Sequence, residues 1–191
     1  ILIGAGGHAK SCIDIIHAQN KYKIVGLVDE NKKKGSTILN YKVLGNDKIL
    51  KDIRNKVKLA FLTVGQIKSH LVRKNLFLKA VKLGFEFPKI ISPHSIISPF
   101  SKIGKGSLIA HGVKINSDAK VGINCIINTN AIIEHEVEIG DFCHVSTSTT
   151  INGNVAIGNN CFIGSGSKLK NSIKIKNNTI VPMGSIVKKN I

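Results

Sequence analysis

The sequence predicts a small α/β domain at residues 1–88, followed by a parallel β-helix at residues 89–191. Three observations support this division. An aliphatic residue, nearly always Ile or Val, returns at every sixth position from Ile91 to Val187, 17 times in succession. A mostly small residue stands four positions after these aliphatic residues. Near the start of the chain, a glycine-rich turn, Gly4–Ala9, lies between an apolar segment and a helical pattern.

A period of six fits neither one face of an α-helix nor the alternation of an ordinary β-strand. It is typical of a hexapeptide β-helix, in which short strands are joined by tight corners. Three hexads close one triangular coil of 18 residues, so residues 18 apart stack at the β spacing of about 4.8 Å. The aliphatic and the small residue are both expected to point inward. The inward aliphatic positions are Ile91, Ile97, Ile103, Ile109, Ile115, Val121, Ile127, Ile133, Ile139, Val145, Ile151, Ile157, Ile163, Leu169, Ile175, Val181 and Val187.

The first thirty residues predict a β-α-β unit. Ile1–Ile3 is the first strand, a helix follows the Gly4–Ala9 turn, and Lys23–Val28 is the second strand, which ends before Asp29. The turn has the form G-x-G-x-x-A, which lets the backbone approach phosphates at a helix N-terminus. With an acidic residue about 20 positions later, this pattern by itself suggests a dinucleotide site. The β-helix leaves room for only half of a doubly wound fold, so we expect a half-Rossmann-like domain that can hold one nucleotide.

The remainder of this domain predicts alternating strands and helices. They are a strand at Tyr41–Leu44, a helix at Asp47–Arg54, a strand at Leu59–Val64 and a helix at Ile67–Leu83 that Gly84 ends. Ligands of open α/β sheets bind beyond the carboxyl ends of the strands. Gly65 and Asp29 each follow such a strand, so both are expected to face one cleft. The glycine-rich turn, with Gly4, Gly6 and His8, borders the same cleft.

The formal net charge is +17, and the lysines are spread along the whole chain. Nucleic acid is an obvious partner for such a charge, but the sequence holds no nucleic-acid-binding motif and only 5% aromatic residues. Anionic small molecules, such as nucleotide diphosphates or coenzyme A, account for the charge as well, and a lysine-rich proteome needs no partner at all. No apolar run approaches the roughly 20 residues of a membrane span, and no signal peptide is found.

Three of the four cysteines, Cys125, Cys143 and Cys161, are 18 residues apart and occupy the small inward position. They are expected to stack as a ladder inside the β-helix. A metal site needs ligand pairs at short spacing in polar surroundings, and the sequence shows neither. We therefore expect packing without a metal, with reduced thiols in a cytoplasmic protein.

Among the seven histidines, His135 stands in the most informative segment, Ile133-Glu134-His135-Glu136. In the phase of the hexads, His135 and Glu136 occupy a corner outside the core. A carboxylate next to a histidine fixes its tautomer and stabilises the imidazolium, so the pair suits a general base. A surface histidine beside an acidic turn is the simpler explanation of the dipeptide taken alone.

Two further residues add geometry to this corner. Gly153 follows His135 by 18 residues, so the position stacked over the candidate base has no side chain and offers a backbone N–H to an oxyanion. His144 follows His135 by nine residues, which is half a coil, so within one chain the two histidines point to opposite sides. They can meet only if another chain brings its own copy.

Five blocks of the sequence carry a resemblance to a known family. They are Gly4-Ala5-Gly6-Gly7-His8-Ala9-Lys10, Asn128-Thr129, Ile133-Glu134-His135-Glu136, Asp141-Phe142-Cys143-His144-Val145-Ser146 and Asn152-Gly153-Asn154-Val155. They resemble the hexapeptide-repeat sugar acetyltransferases of the sialic-acid O-acetyltransferase type. This group includes the enzymes that acetylate the amino group of nucleotide-linked 4-amino sugars, and its β-helix is left-handed. Gly6 is a departure, since some relatives carry Ser there.

The resemblance implies a homotrimer with active sites between subunits, a nucleotide sugar held by the N-terminal domain, and acetyl-CoA lying along the β-helix. It implies that His135 is the base and that Glu136 assists it. It places His144 near the acetyl donor and gives the Gly153 N–H to the thioester oxygen. The residues expected to bind the nucleotide sugar are Gly4, Gly6, His8, Asp29, Gly65 and Asn128.

We therefore expect acetyl transfer from acetyl-CoA to the amine of a nucleotide-linked amino sugar, in the synthesis of bacterial glycans or nonulosonic acids. O-acetylation of a sialic-acid-like sugar by the same base is the nearest alternative. An NAD-dependent oxidoreductase would depend on the glycine-rich turn alone. A purely structural β-helix would need no His-Glu corner.

Overall fold

The computed structural model describes residues 1–191, and the chain divides into two compact units. The first unit consists of Ile1–Gly65 and Leu71–Pro88, and the second of Gln66–His70 and Lys89–Ile191. The short segment Gln66–His70 therefore groups with the second unit, although the chain on either side of it belongs to the first. None of the helices has both the length and the apolar character that crossing a membrane requires.

The first unit is built on a five-stranded sheet. Its strands are β1 (Leu2–Ile3), β2 (Leu27–Val28), β3 (Thr37–Ile38), β4 (Tyr41–Gly45) and β5 (Phe61–Leu62), in the order β3-β4-β2-β1-β5. Neighbouring strands are parallel except β3 and β4, which are antiparallel. The helices are α1 (Gly7–Gln19), α2 (Leu50–Arg54), which continues from a 3₁₀ turn at Asp47–Ile49, and α3 (Leu71–Lys82). The predicted α/β domain with a parallel β-α-β unit is confirmed.

Several details of this unit differ from the prediction. The strands predicted at Lys23–Val28 and Leu59–Val64 are shorter and consist of Leu27–Val28 and Phe61–Leu62. The structure adds the short strand β3, which extends the sheet beyond β4 and which the sequence does not predict. The helix predicted from Ile67 begins only at Leu71, because the Gln66 side chain donates to the Phe142 carbonyl of the β-helix at 2.8 Å and holds the segment there. The end of this helix is as predicted, since Gly84 has a φ of +87° and its N–H donates to the Val81 carbonyl at 2.8 Å.

The second unit is a left-handed parallel β-helix made of two-residue strands. Three parallel sheets form its sides, and we number these faces in the order in which the chain reaches them. Face 1 consists of Ile90–Ile91, Leu108–Ile109, Ile126–Ile127, His144–Val145, Phe162–Ile163 and Ile180–Val181. Face 2 consists of Ile96–Ile97, Lys114–Ile115, Ile132–Ile133, Thr150–Ile151, Lys168–Leu169 and Ile186–Val187. Face 3 consists of Lys102–Ile103, Lys120–Val121, Glu138–Ile139, Ala156–Ile157 and Lys174–Ile175.

The register is the one that the hexads predict. Strands of neighbouring coils pair 18 residues apart, so Ile133 pairs with Ile115 on one side and with Ile151 on the other. Every aliphatic residue of the series from Ile109 to Val181 is buried. This continuous apolar column is the core of the unit, and burying a side chain of this size contributes about 1.5–3 kcal/mol.

The corners of the prism repeat one backbone conformation. Every sixth residue from Gly106 to Gly184 has a positive φ, between 53° and 71°. Most of these positions carry Gly, Asn, Asp or Ser, and the two exceptions are Glu136 and Phe142. A left-handed conformation costs an ordinary residue about 1–2 kcal/mol. The corners at Glu136 and Phe142 therefore store backbone strain that the other corners avoid.

The cysteine ladder occupies one column of small inward positions. The thiols of Cys125, Cys143 and Cys161 are free and buried, and they donate to the carbonyls of Gly140, Gly158 and Lys176 at 3.1, 3.0 and 3.1 Å. Ser107, one coil earlier, donates in the same way to the Gly122 carbonyl at 2.8 Å. The column thus takes a small side chain that packs and also donates one hydrogen bond. No group of three or more His, Cys, Asp or Glu residues is placed to hold a metal ion.

Candidate active site

His135 and Glu136 form a corner between face 2 and face 3. A Glu136 carboxylate oxygen lies 3.0 Å from His135 Nδ1, and the two side chains are 61% and 62% exposed. A neutral His135 that donates its Nδ1–H to this carboxylate carries its lone pair on Nε2, at the far side of the ring. This is the form of histidine that a general base requires.

The other carboxylate next to His135 has a different contact. Glu134 Oε2 accepts a hydrogen bond from Asn116 Nδ2, one coil earlier, at 2.7 Å. Glu136 alone orients the His135 ring, and it does so from a left-handed backbone conformation with a φ of 59°. Its N–H donates to the Ser117 carbonyl at 3.0 Å, which fixes the strained corner in place. Backbone strain of this kind is concentrated at functional sites.

Gly153 lies against the His135 ring, one coil further along. A Cβ atom at Gly153 would stand 2.6 Å from His135 Cε1 and 2.7 Å from Nε2, so a side chain cannot share this space with the ring. The Gly153 N–H makes no hydrogen bond within the chain. The N–H groups of Ser117 and His135, in the same column, are likewise unpaired, so the feature that distinguishes Gly153 is the absence of a side chain beside the ring. Gly153 thus keeps an unused donor beside Nε2 of the candidate base.

His144 points outward from face 1 but is surrounded by other residues, so only 6% of it is exposed. Its Nδ1 lies 2.5 Å from the backbone carbonyl oxygen of Gln66, and its Nε2 lies 3.3 Å from Asn128 Nδ2. The ring also packs edge-on against Phe162, with centroids 5.2 Å apart. The structure does not bring His144 to His135 within one chain, since they occupy face 1 and the corner between faces 2 and 3.

A groove crosses face 3 from the His135 corner. It has a volume of about 650 Å³ next to Glu136 and continues into a second cavity of about 480 Å³ that reaches Gly158. Both parts share four lining residues, Lys120, Glu138, Ala156 and Lys174. The outward residues of this face are Lys102, Lys120, Glu138, Ala156 and Lys174, so Ala156 is the small residue that opens the groove. Ala156 is not among the residues predicted from the sequence, although its place in the outward column follows once the register is known.

The first unit contains a separate cavity of about 490 Å³ beyond the carboxyl ends of its parallel strands. Five of the residues predicted to bind the nucleotide sugar line it, namely Gly4, Gly6, His8, Asp29 and Gly65. The sixth, Asn128, does not line this cavity and lies in the β-helix beside His144. Lining residues that the sequence analysis missed include Glu30, Asn31, Asp47 and Thr63.

The glycine-rich turn is held by Asp29. Its two carboxylate oxygens accept hydrogen bonds from the Ala5 N–H at 2.7 Å and the Asn31 N–H at 2.8 Å. Gly4 is required here, because its φ is +113° and a Cβ atom would stand 2.6 Å from a Val64 methyl group. Helix α1 follows with Gly6 as its N-cap, without a side-chain cap and without an acidic residue in its first turn. Uncapped N–H groups at a helix N-terminus favour a bound anion such as a phosphate.

The chain is similar in sequence and structure to proteins of known activity. Residues 1–79 match the family of the PglD N-terminal domain. PerB from Caulobacter crescentus, solved in complex with CoA and GDP-perosamine, is 30% identical, with a TM-score of 0.93 over all of this chain and 88% of PerB. A histidine-to-asparagine mutant of perosamine N-acetyltransferase from the same organism, with the same ligands, is 29% identical, with a TM-score of 0.94 and the same coverage.

The acetyltransferase domain of PglB from Neisseria gonorrhoeae, solved with acetyl coenzyme A, shares the fold. It is 24% identical, with a TM-score of 0.90 over all of this chain and 90% of that domain. A comparison of the sequence with the curated proteins gives no match.

Proposed function

The chain belongs to the hexapeptide-repeat sugar acetyltransferases, and on this premise we propose that it transfers the acetyl group of acetyl-CoA to the amine of a nucleotide-linked amino sugar. The single observation that carries the proposal is the His135 corner. A histidine with an available Nε2, oriented by the Glu136 carboxylate and flanked by the unused Gly153 N–H, supplies the base and the oxyanion donor of an acyl transfer. The similar PerB binds CoA and GDP-perosamine.

The reaction proceeds by direct attack of the amine on the thioester. The amine nitrogen forms a bond to the thioester carbon while His135 Nε2 accepts one proton from nitrogen. The negative charge that develops on the carbonyl oxygen is stabilised by the Gly153 N–H. When the carbon–sulfur bond breaks, the proton on His135 passes to the departing sulfur, which gives the N-acetyl sugar and free CoA. Glu136 stabilises the imidazolium that exists between the two proton transfers.

The acceptor is proposed to bind in the cavity of the first unit. The uncapped amides at the start of α1 suit the diphosphate of the nucleotide sugar. The Asp29 carboxylate holds the glycine-rich turn in place by accepting a hydrogen bond from the Ala5 N–H. Because the cavity is lined by Asp29, Glu30 and Asp47 but by no lysine or arginine, backbone donors rather than side-chain cations hold the phosphates. The donor is proposed to lie along the β-helix, whose grooves carry Lys120 and Lys174.

We propose further that the active enzyme is a homotrimer with its sites between subunits. The support is the placement of the two histidines, since His144 can approach His135 only from a second chain. Acetyl-CoA and nucleotide sugars are intracellular metabolites, so the proposed reaction takes place in the cytoplasm.

The direct test is to incubate the protein with acetyl-CoA and a panel of GDP-, UDP- and dTDP-linked 4-amino sugars, and to follow release of the CoA thiol. Mass spectrometry of the sugar then identifies the acetylated product. The proposal predicts thiol release and an N-acetyl product with at least one amino sugar, and neither with the matching 4-hydroxy sugar. Release with hydroxy sugars alone would instead make the enzyme an O-acetyltransferase, and release with no sugar would remove the proposal.

A further inference from the structure

We infer that Gln66 and Asn128 hold His144 in a single tautomer. The hydrogen bond that the face 1 side of the proposed site donates to the acetyl carbonyl then comes from Asn128 and not from His144. The inference rests on the proposed function and adds one catalytic and two positioning residues to it. The catalytic residue is Asn128, and the positioning residues are His144 and Gln66.

The first step is the orientation of the Asn128 amide. Asn128 Oδ1 accepts a hydrogen bond from the Thr129 N–H at 2.8 Å, and the Thr129 hydroxyl lies 3.4 Å from the same oxygen. A backbone N–H can donate but cannot accept, so the oxygen of the amide must be on this side. The Nδ2 amino group is therefore the end that faces His144 Nε2, at 3.3 Å.

The second step is the protonation of the His144 ring. The Asn128 amino group only donates, so His144 Nε2 must be the acceptor and cannot carry a proton. The neutral ring then carries its proton on Nδ1, which lies 2.5 Å from the Gln66 carbonyl oxygen, and that oxygen can only accept. The contacts on the two sides of the ring thus require the same tautomer independently of each other.

The third step is the fixation of Gln66. The residue is 3% exposed, and its side-chain Nε2 donates to the Phe142 carbonyl at 2.8 Å, with the Cys161 carbonyl at 3.4 Å. These side-chain contacts hold the backbone carbonyl oxygen of Gln66 next to His144 Nδ1. Phe142 itself stands in a left-handed conformation with a φ of 54°, so the β-helix accepts strain at the corner that presents this carbonyl.

Asn128 and His144 differ in the hydrogen-bond donors that they can offer a ligand. His144 uses its only N–H on Gln66, and 6% of the residue is exposed, so it has no hydrogen to give to an acetyl oxygen. Asn128 is half-buried, and its amino group has a second hydrogen besides the one directed at His144. An amide N–H that is held in place is an effective oxyanion donor. His144 then acts by holding the Asn128 amino group.

The tautomer is measured directly by ¹⁵N NMR of the whole protein labelled in its histidines, at the pH of the assay. The His144 signals are assigned by their loss in His144→Gln. We expect a protonated Nδ1 and an unprotonated Nε2 for His144. A protonated Nε2 would make His144 the donor and would overturn the inference.

Activity separates the roles. Asn128→Leu removes the donor, and we expect kcat to fall about 10²–10³-fold with the KM for the nucleotide sugar unchanged. Asn128→Asp keeps the shape of the side chain but places an acceptor opposite His144 Nε2. Because both neighbours of the ring then accept hydrogen bonds, we expect His144 to be protonated on both nitrogens and kcat to fall by a similar factor. Gln66→Leu removes the side-chain anchor of the backbone carbonyl at Nδ1, but Asn128 still requires an unprotonated Nε2. We therefore expect the same His144 tautomer with a smaller loss of kcat. Gln19→Leu in the first unit is the control and should change neither the tautomer nor kcat.

Retention of kcat within tenfold by both Asn128 variants would overturn the inference. The parent protein is assayed first with the amino-sugar panel. If it acetylates no sugar, the proposed function fails while the NMR readout still decides the tautomer. If the parent is active and Nε2 is protonated, only the present inference fails.

Discussion

His135 and His144 occupy opposite sides of one triangular prism. His135 lies at the vertex where face 2 meets face 3, and His144 points outward from face 1, the side opposite that vertex. The Glu136 carboxylate orients the first ring at 3.0 Å, and the Gln66 carbonyl and the Asn128 amide orient the second. A reaction that uses both histidines therefore needs two chains.

Replacing His135 by Ala tests the general base. We expect kcat to fall by about 10²–10⁴, the usual contribution of a positioned base, with little change in the affinity for acetyl-CoA. The measurement is steady-state kinetics of thiol release together with calorimetric titration of acetyl-CoA. His94→Ala, which removes an exposed histidine of another corner, is the control and should retain full activity. Activity of His135→Ala within tenfold of the parent would exclude His135 from the role.

Replacing Glu136 by Asn tests the strained corner. Asn adopts the left-handed conformation more easily than Glu, so the variant should be more stable, by about 1 kcal/mol. It loses the carboxylate that orients His135, so kcat should fall about tenfold, less than for His135→Ala. Chemical denaturation and kinetics on the same preparation measure both effects. Ser148→Gly, at an equivalent corner with a φ of 56°, should change stability without affecting kcat. A Glu136→Asn protein that is less stable than the parent would contradict the strain argument.

Replacing Gly153 by Ala tests the space beside the base. The added methyl group would meet the His135 ring, which is exposed and can swing away, so we expect a large loss of kcat with a nearly unchanged melting temperature. Gly158→Ala is the matched control, because its methyl group would stand 2.7 Å from the backbone nitrogen of Asn177, which cannot move easily. That variant should lose stability. Equal effects of the two substitutions on the melting temperature would show that Gly153 has a structural role only.

Replacing Ile151 by Asp tests the register of the β-helix. Ile151 is fully buried, and an unpaired charge at its position costs several kcal/mol, a large part of the 5–15 kcal/mol that stabilises an ordinary protein. We expect no folded protein by circular dichroism. Lys168→Asp changes an exposed outward residue of the same face and should remain folded. A folded Ile151→Asp protein would contradict the inward assignment of the hexads.

The thiols are predicted to be unreactive in the folded protein. All four cysteines are buried, and burial raises the pKa of Cys12 to about 12. Hydrogen bonds with the Cys125 and Cys161 thiols, together with burial, raise the pKa of Cys143. The hydrogen bond with the Cys143 thiol lowers the pKa of Cys161 to about 7, so burial and not protonation must protect this thiol, and the residue is 0% exposed. Although the thiolate is the reactive form, a reagent must also reach it, so Ellman's reagent at pH 8 should detect no protein thiol before unfolding and four after it. Rapid labelling of the native protein would contradict the buried ladder, and its absence leaves the CoA assay free of background.

The sequence is sufficient for the β-helix because its information is local and repeated. Ile133 and Ile151 occupy equivalent hexad positions, so the period alone predicts that they stack and both point inward. The same phase predicts that Glu136 lies at a corner, but the left-handed conformation of Glu136 and Phe142 is seen only in the structure. The period likewise predicts that Gly153 follows His135 in the next coil.

The sequence is insufficient where a contact joins distant positions. Gln66 follows a strand and precedes an apolar pattern, so it is predicted next to a helix that starts at Ile67. Its actual surroundings are Phe142 and His144, which are 76 and 78 positions away, and no period relates them. The contact of Asn128 with His144 was missed for a related reason. The two share face 1 in neighbouring coils, but the pairing depends on an amide orientation that only Thr129 reveals.

The most direct test of the shared site is to mix two inactive variants. His135→Ala chains keep an intact His144 and His144→Ala chains keep an intact His135, provided that each variant alone is strongly impaired and still assembles. Random exchange of equal amounts into trimers should make about a quarter of the interfaces intact on both sides. The account predicts that thiol release recovers to about a quarter of the parent rate at equal mixing and falls at other ratios. No recovery at any ratio would mean that the two histidines act within one chain, or that they do not act together, and would contradict the account.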